Sequence, residues 1–148
     1  ILESDKGVFI DKIVPKEFGI KLFSEIGKTF PLHCTGLGKV LLAYSTGALL
    51  RQVCERPLER MTKKTITDPS ALEDELQLIR EQDYALDDQE ITRGIMCVAA
   101  PVFGFNGEMA GAISVTFLAY HDDDRGIEPE IAAIKKYSRM ISKNLGFK

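Results

Sequence analysis

Three groups of residues in this chain are of types that could do chemistry. The run TGLGKV, Thr35 to Val40, sets two glycines ahead of a lysine at the head of an apolar stretch. Against a phosphate-binding loop it lacks the Gly needed where His33 stands and the Ser or Thr needed where Val40 stands, so the magnesium-binding hydroxyl is missing. What remains is a glycine-containing turn entering a helix N-terminus, whose free N–H groups and positive dipole end bind anions, carboxylate as readily as phosphate. The same glycines suit a helix packed tightly on a sheet. The second group is His33-Cys34 with Cys54 and Cys97 far off; no pair has zinc-ligand spacing, so no metal centre is expected. A Cys97 nucleophile with His33 as base needs only that the two meet in space. More often a Cys beside Met96, Val98 and Ala99 is a small buried hydrophobe. The third group, Asp87-Asp88-Glu90, has the composition of an acid/base pair and equally that of a solvated turn between strands. The run His121 to Arg125 reads as a solvated loop before the last helix, with no site.

Cys97 lies in IMCVAAPVFGFNGEMAGAISVTF, Ile95 to Phe117, two apolar runs around Asn106-Gly107. Asn-Gly is a strong signal for a two-residue hairpin turn. With that turn Phe105 sits opposite Glu108, Pro101 opposite Ala112, Ala99 opposite Ser114 and Cys97 opposite Thr116. Alternation puts these last six on one face, small and lightly polar. The other face pairs Met96 with Phe117, Val98 with Val115 and Ala100 with Ile113, as a core should. Voids in a packed interior cost stability, so the small face must be filled by a close helix or by a ligand.

The elements that position these groups can be read along the chain. Asp5-Lys6-Gly7 reads as a turn before a strand over Val8 to Val14, with Ile1-Leu2-Glu3 ending an earlier strand. Pro15 stops that strand, and Gly19 to Phe23 is a short candidate strand or an irregular apolar segment. Thr35 caps a helix through Lys39 to Ala43, and Thr46 opens a second over Leu49, Leu50 and Val53. Asp68-Pro69 starts a third, on which Leu72, Leu76 and Ile79 recur at helical spacing while Glu73, Glu75 and Arg80 take wetter faces. Tyr84 to Leu86 and Ile91 flank the acidic turn as short extended pieces. The last helix carries Ile127, Ile131, Ile134, Ile141 and Leu145 as its core stripe and stops at Gly146. Strands, helices, strands and a final helix give an α+β fold, an antiparallel sheet with helices packed on it.

At 148 residues the chain has the size of one domain with a real core. A net charge of −3 gives no electrostatic footprint for nucleic acid. No run is long enough to span a membrane and no signal peptide opens the chain. Three cysteines without framework spacing fit reduced thiols and a cytoplasmic protein. The opening Ile-Leu-Glu, without Met, suggests a piece of a longer protein.

Taken in order, PLHCTGLGKVLLAY (Pro31 to Tyr44), YALDDQEITRGIMCVAAPVF (Tyr84 to Phe103) and NGEMAGAISVTF (Asn106 to Phe117) resemble the effector-binding domain of IclR-type bacterial transcription regulators. The family's Leu-His-x-(Ser/Thr)-(Ala/Gly)-x-Gly-Lys turn, its Tyr-x-x-Asp and Glu-x-x-x-Gly-x-x-Cys-(Ile/Val)-Ala-Ala-Pro-Val run, and its Ala-(Ile/Leu)-Ser-x-(Ser/Thr) strand all occur here in register. The resemblance covers essentially the whole chain. It implies a GAF-like α+β domain over residues 1–148 that senses a small molecule and mediates homodimer or homotetramer assembly. It also implies a winged helix-turn-helix upstream, absent from this chain, through which alone DNA would be bound. The effector would be a small organic acid, with no cofactor and no catalysis. Carried over by motif, its site would comprise Thr35, Gly36, Leu37, Asp87, Cys97, Ser114 and Thr116, with apolar walls from Leu22, Phe30 and Ile95. Met96 and Leu37 depart from the family's common Arg and Ala. The competing readings are an enzyme using Cys97 and an assembly domain with no ligand.

Overall fold

The computed structural model describes residues 1–14, 24–119 and 126–148. The elements run β1 (Leu2–Glu3), β2 (Lys6–Val8), β3 (Thr29–Phe30), α1 (Gly36–Ala43), α2 (Gly47–Cys54), α3 (Pro69–Gln82), β4 (Ala85–Asp88), β5 (Ile95–Phe103), β6 (Met109–Leu118) and α4 (Glu128–Asn144). The strands form two antiparallel three-stranded sheets, β1-β2-β3 and β4-β5-β6. Helix α1 packs on one face of the second sheet and α4 on the other. This is the α+β architecture that the element order implies.

Each face has its own core. Val40, Leu41 and Leu42 of α1 bury with Leu72, Leu76 and Ile79 of α3 and with Ala85 and Ala99 of the sheet. On the far side Val98, Ala100, Phe117 and Ile134 bury together, lined by Ile113, Val115 and Ile131. The caps are as expected for α1 and α3: Thr35 Oγ1 accepts from Gly38 N at 3.0 Å and Asp68 Oδ2 from Ala71 N at 2.8 Å. Thr46 holds the N-cap position of α2 without a side-chain cap bond.

The hairpin register is as derived, with Cys97 opposite Thr116, Ala99 opposite Ser114 and Pro101 opposite Ala112. Its turn is different. Gly107 has φ +78 but Asn106 does not take positive φ, and Gly107 N bonds Gly104 O at 3.0 Å while Gly104 N bonds Glu108 O at 2.9 Å. Phe105, Asn106 and Gly107 therefore form a three-residue loop with the glycine in the left-handed position. Phe105 is a loop residue, not a partner of Glu108. The register then slips by one residue between the pairs Phe103–Met109 and Val102–Gly111, leaving Ala110 as a bulge. The odd loop and the bulge offset each other.

Three other expectations are corrected. The second strand is shorter than Val8 to Val14, starting at Lys6 and ending at Val8. Asp87 and Asp88 lie inside β4, paired with Cys97 and Met96, rather than in a solvated turn, and Asp87 and Glu90 are buried. On α4 the buried seam is Ile134, Ser138 and Ser142, whereas Ile141 and Leu145 are exposed. Ser138 Oγ donates to Pro101 O, and Ser142 Oγ donates to Ser138 O and accepts from Phe103 N, so both hydroxyls are satisfied where the periodicity placed aliphatic side chains. Pro15, the segment Gly19 to Phe23 and the run His121 to Arg125 lie outside the described residues.

Candidate functional site

The N-terminus of α1 rests on the small face of the hairpin. A Cβ built on Gly36 would lie 3.2 Å from Cys97 Sγ and 3.3 Å from Ala99 Cβ, so the glycine sets how closely the helix approaches. Gly38 is more tightly constrained: its Cβ would fall 2.4 Å from Pro31 O and 2.7 Å from Leu32 Cα. Close helix packing thus accounts for the Cys97–Ala99 part of the small face. It does not cover all of it, because Ser114 and Thr116 on β6 are only half-buried.

The strand register sets Asp87, Cys97 and Thr116 in one row across β4, β5 and β6, with Ala85, Ala99 and Ser114 in the next. The Ser114 and Thr116 hydroxyls neighbour the Cys97 thiol and oppose part of the rise that burial gives its pKa. Thr35 has its hydroxyl committed, donating to Pro31 O at 2.8 Å and capping Gly38 N. The first N–H groups of a helix have no acceptor within it; the cap takes that of Gly38, which leaves those of Gly36 and Leu37 at the positive end of the helix. Asp87 Oδ1 accepts from Glu90 N at 2.7 Å. Burial, the main influence, pushes its pKa up to about 7 against the opposing pull of that backbone bond.

Of the residues that the sequence singles out, Thr35, Gly36, Leu37, Asp87, Cys97, Ser114 and Thr116 are thereby brought to one place. Ile95 begins β5 on the Cys97 side by alternation and is half-buried. Phe30, on β3 of the first sheet, buries in the same core cluster as Leu41 and Ala99; its ring lies 4.5 Å from that of Phe9, and a Cβ on Gly7 would fall 2.0 Å from it. It also lines a separate cavity of about 450 Å³ with Asp5, Gln52 and Arg56. Leu22 lies outside the described residues. The pair Cys97 and His33 does not have the chemistry of a nucleophile and its base. Burial first, and the Asp87 carboxylate with it, push the thiol up to about 11, and His33 Nε2 is bonded to Glu59 O at 2.9 Å. A depressed thiol pKa is what nucleophilic use requires. Among the described residues no group of His, Cys, Asp and Glu could hold a metal ion.

Sequence reasoning missed the assembly that holds this site in place. Lys39, the lysine of TGLGKV, is 1% exposed and bonds Glu75 Oε1 at 2.7 Å, Leu86 O at 2.6 Å and Glu90 Oε1 at 2.5 Å. Burial alone would lower its pKa, but the two carboxylates outweigh burial and hold it charged. The lysine thus ties α1 to α3, to β4 and to the turn after β4. Thr65 Oγ1 donates to Glu90 O at 2.6 Å and secures that turn from the other side. The available signal was Lys39 inside an apolar run, since a buried lysine requires acids brought to it.

The N-terminus of α1 thus packs, through Gly36, on the sheet face that carries Cys97, Ala99, Ser114 and Thr116. The model of the bacterial transcriptional regulator IclR C-terminal domain matches residues 1–143, and the chain belongs to that family. It is 38% identical over 143 residues to the HTH-type transcriptional regulator BhcR of Paracoccus denitrificans, covering 96% of this chain and 51% of that protein. The Thermotoga maritima IclR crystal structure superposes with a TM-score of 0.88 at 33% identity, covering 99% of this chain and 59% of that one. An IclR homolog from Microbacterium hydrocarbonoxydans, complexed with 4-hydroxybenzoate, shares the fold with a TM-score of 0.89 at 22% identity, over 98% of this chain and 58% of that one. The chain spans about half the length of the curated relatives it matches. No helix among the described residues is long and apolar enough to cross a membrane.

Proposed function

We propose that this chain is the ligand-sensing domain of an IclR-type transcription factor, whose effector is a small organic acid. What supports this is the N-terminus of α1, with Gly36 packed against Cys97 and Ala99, on the sheet face whose register also carries Ser114 and Thr116. The N–H groups and helix dipole take the carboxylate; the thiol and hydroxyls line the remainder. Asp87, with its pKa raised to about 7 by burial, does not confront an acid with a full negative charge at neutral pH. The aromatic hydroxy acid held by the Microbacterium homolog agrees with this ligand class. In the whole protein the domain works as a homodimer or homotetramer, and effector binding biases a winged helix-turn-helix upstream, which carries the DNA contact. It can do so only if the acid prefers one of two states. The raised Cys97 pKa disfavours an enzyme.

Thermal melting of the chain against a panel of aliphatic and aromatic carboxylic acids, 4-hydroxybenzoate included, tests this reading. An acid at about 100 times its Kd stabilises by roughly 2.7 kcal/mol, a rise of roughly 5–11 °C for a domain of this size. Ser114→Leu should fill the space and remove the shift. A shift that persists in full in that variant would move the site elsewhere, and no shift with any acid would leave a domain that only assembles.

A further inference from the structure

We propose that the cleft between the first sheet and α2 is a second binding site, separate from the effector site, and that it takes a small hydroxylated aliphatic monocarboxylate. Its cavity of about 450 Å³ is lined on the sheet side by Asp5, Lys6 and Phe30 and on α2 by Gln52 and Val53, with Arg56 just past the end of that helix. A cavity of this order holds a small organic molecule. The run Ser4-Asp5-Lys6-Gly7 builds one side of it. Ser4 takes φ +57, uncommon for a residue with a side chain, and this turn brings Asp5 and Lys6 into the lining. Gly7 follows without a Cβ, and the Phe30 ring fills the space that a Cβ would need. The ring is thereby held against β2, in an apolar floor shared with Leu32 and Val53.

The polar groups identify the ligand. Among the described residues neither the Lys6 ammonium nor the Arg56 guanidinium has an ion-pair or hydrogen-bond partner. Lys28, Lys39 and Lys64, by contrast, each hold a carboxylate at 2.7 Å or 2.6 Å. Asp5 is the third charged residue of the lining. Gln52 Nε2 donates to its Oδ2 at 3.4 Å, a length at which the bond is weak and yields readily to a ligand hydroxyl. Two cations and one carboxylate leave a single positive charge, which a monocarboxylate balances and a dianion such as a phosphate monoester exceeds. Lys6 and Arg56 take the carboxylate through charge-assisted bonds, the guanidinium in a bidentate fork. Asp5 accepts from the hydroxyls and Gln52 donates to them, while the floor covers the carbon skeleton. The residues gathered at the effector site lie at α1 and on the second sheet, and none of them lines this cleft.

The inference is independent of the effector reading. Its probe is pantoate, a dihydroxy monocarboxylate whose dimethyl carbon suits the floor, followed by amide NMR of the chain. Titration should move the amides of Asp5, Lys6, Gln52 and Val53 saturably. Pantolactone, which lacks the carboxylate, and tert-butylacetate, which lacks the hydroxyls, should each bind about tenfold more weakly. Lys6→Gln and Arg56→Gln should each raise the dissociation constant for pantoate about tenfold. Neither should move the melting temperature, because both side chains are exposed. Ser114→Leu should leave pantoate binding unchanged. Shifts gathered on Gly36, Cys97 and Thr116 and lost in Ser114→Leu would assign pantoate to the effector site and overturn the proposal. So would the absence of any saturable shift, undiminished binding in both Gln variants, or a preference for dimethylsuccinate, a dianion, over pantoate.

Discussion

Replacing Asp87 by Asn removes a charge while keeping an oxygen for the Glu90 N–H, which lies 2.7 Å from Oδ1. Asp87 is 2% exposed, and burial is the largest reason its folded pKa rises to about 7. The unfolded value is about 3.9, so the gap is roughly three units, or about 4 kcal/mol between protonation states. The folded state prefers the protonated acid. Below about pH 4 the group is neutral in both states and costs nothing; its contribution is lost as pH rises from about 4 to about 7, and above that the wild type bears the whole penalty. The amide never bears it. D87N should therefore match wild type near pH 4 and exceed it by about 4 kcal/mol at pH 8, a midpoint higher by roughly 8–16 °C. Urea unfolding of both proteins from pH 4 to pH 8 measures this, and other titrating groups cancel in the difference. Parallel stability curves would refute the reasoning. So would a D87N protein less stable at pH 8, because the carboxylate would then be ionised and held by partners in the folded state.

Two further outcomes follow from the buried groups. Lys39→Met leaves the Glu90 carboxylate, 5% exposed, facing no cation, and should cost roughly 3–5 kcal/mol in calorimetry, with much of it recovered when Glu90→Leu is added. Cys97, its thiol pushed up to about 11 by burial, should be alkylated by iodoacetamide at pH 7.5 more than tenfold slower than in urea. Rapid labelling of Cys97 in the folded protein, read by peptide mass spectrometry, would revive the nucleophile reading.

What was legible in the sequence was whatever local chemistry decides. Thr35 and Asp68 cap helices because a short side-chain oxygen before an apolar run satisfies N–H groups that nothing else reaches. The hairpin faces follow from alternation alone, and so the row through Cys97 and Thr116 could be derived. The acids of β4 could not be placed this way. A run of three carboxylates reads as solvated unless its cation is known, and Lys39 lies about fifty residues earlier, on α1. The core stripe of α4 failed for a related reason. Periodicity counts apolar residues, whereas Ser138 and Ser142 are buried because β5 and the helix itself supply their hydrogen-bond partners. Phe30, assigned to the effector wall by motif position, packs against Gly7 of the first sheet and the Phe9 ring, long-range contacts that no motif records.

The bulge at Ala110 gives the hairpin a parity. The three-residue loop alone would pair Cys97 with Val115 and Ala99 with Ile113, mixing the polar wall with the apolar floor; one extra residue on β6 restores the match. The ribbon therefore holds one dispensable residue. Losing Ala110 flattens the rim and leaves every pair from Val102–Gly111 onward intact. A single residue gained there has no such slack to draw on, unless the bulge widens to hold it. Length changes at this tip are consequently one-sided, with a loss absorbed at the rim and a gain passed down the strands to the site.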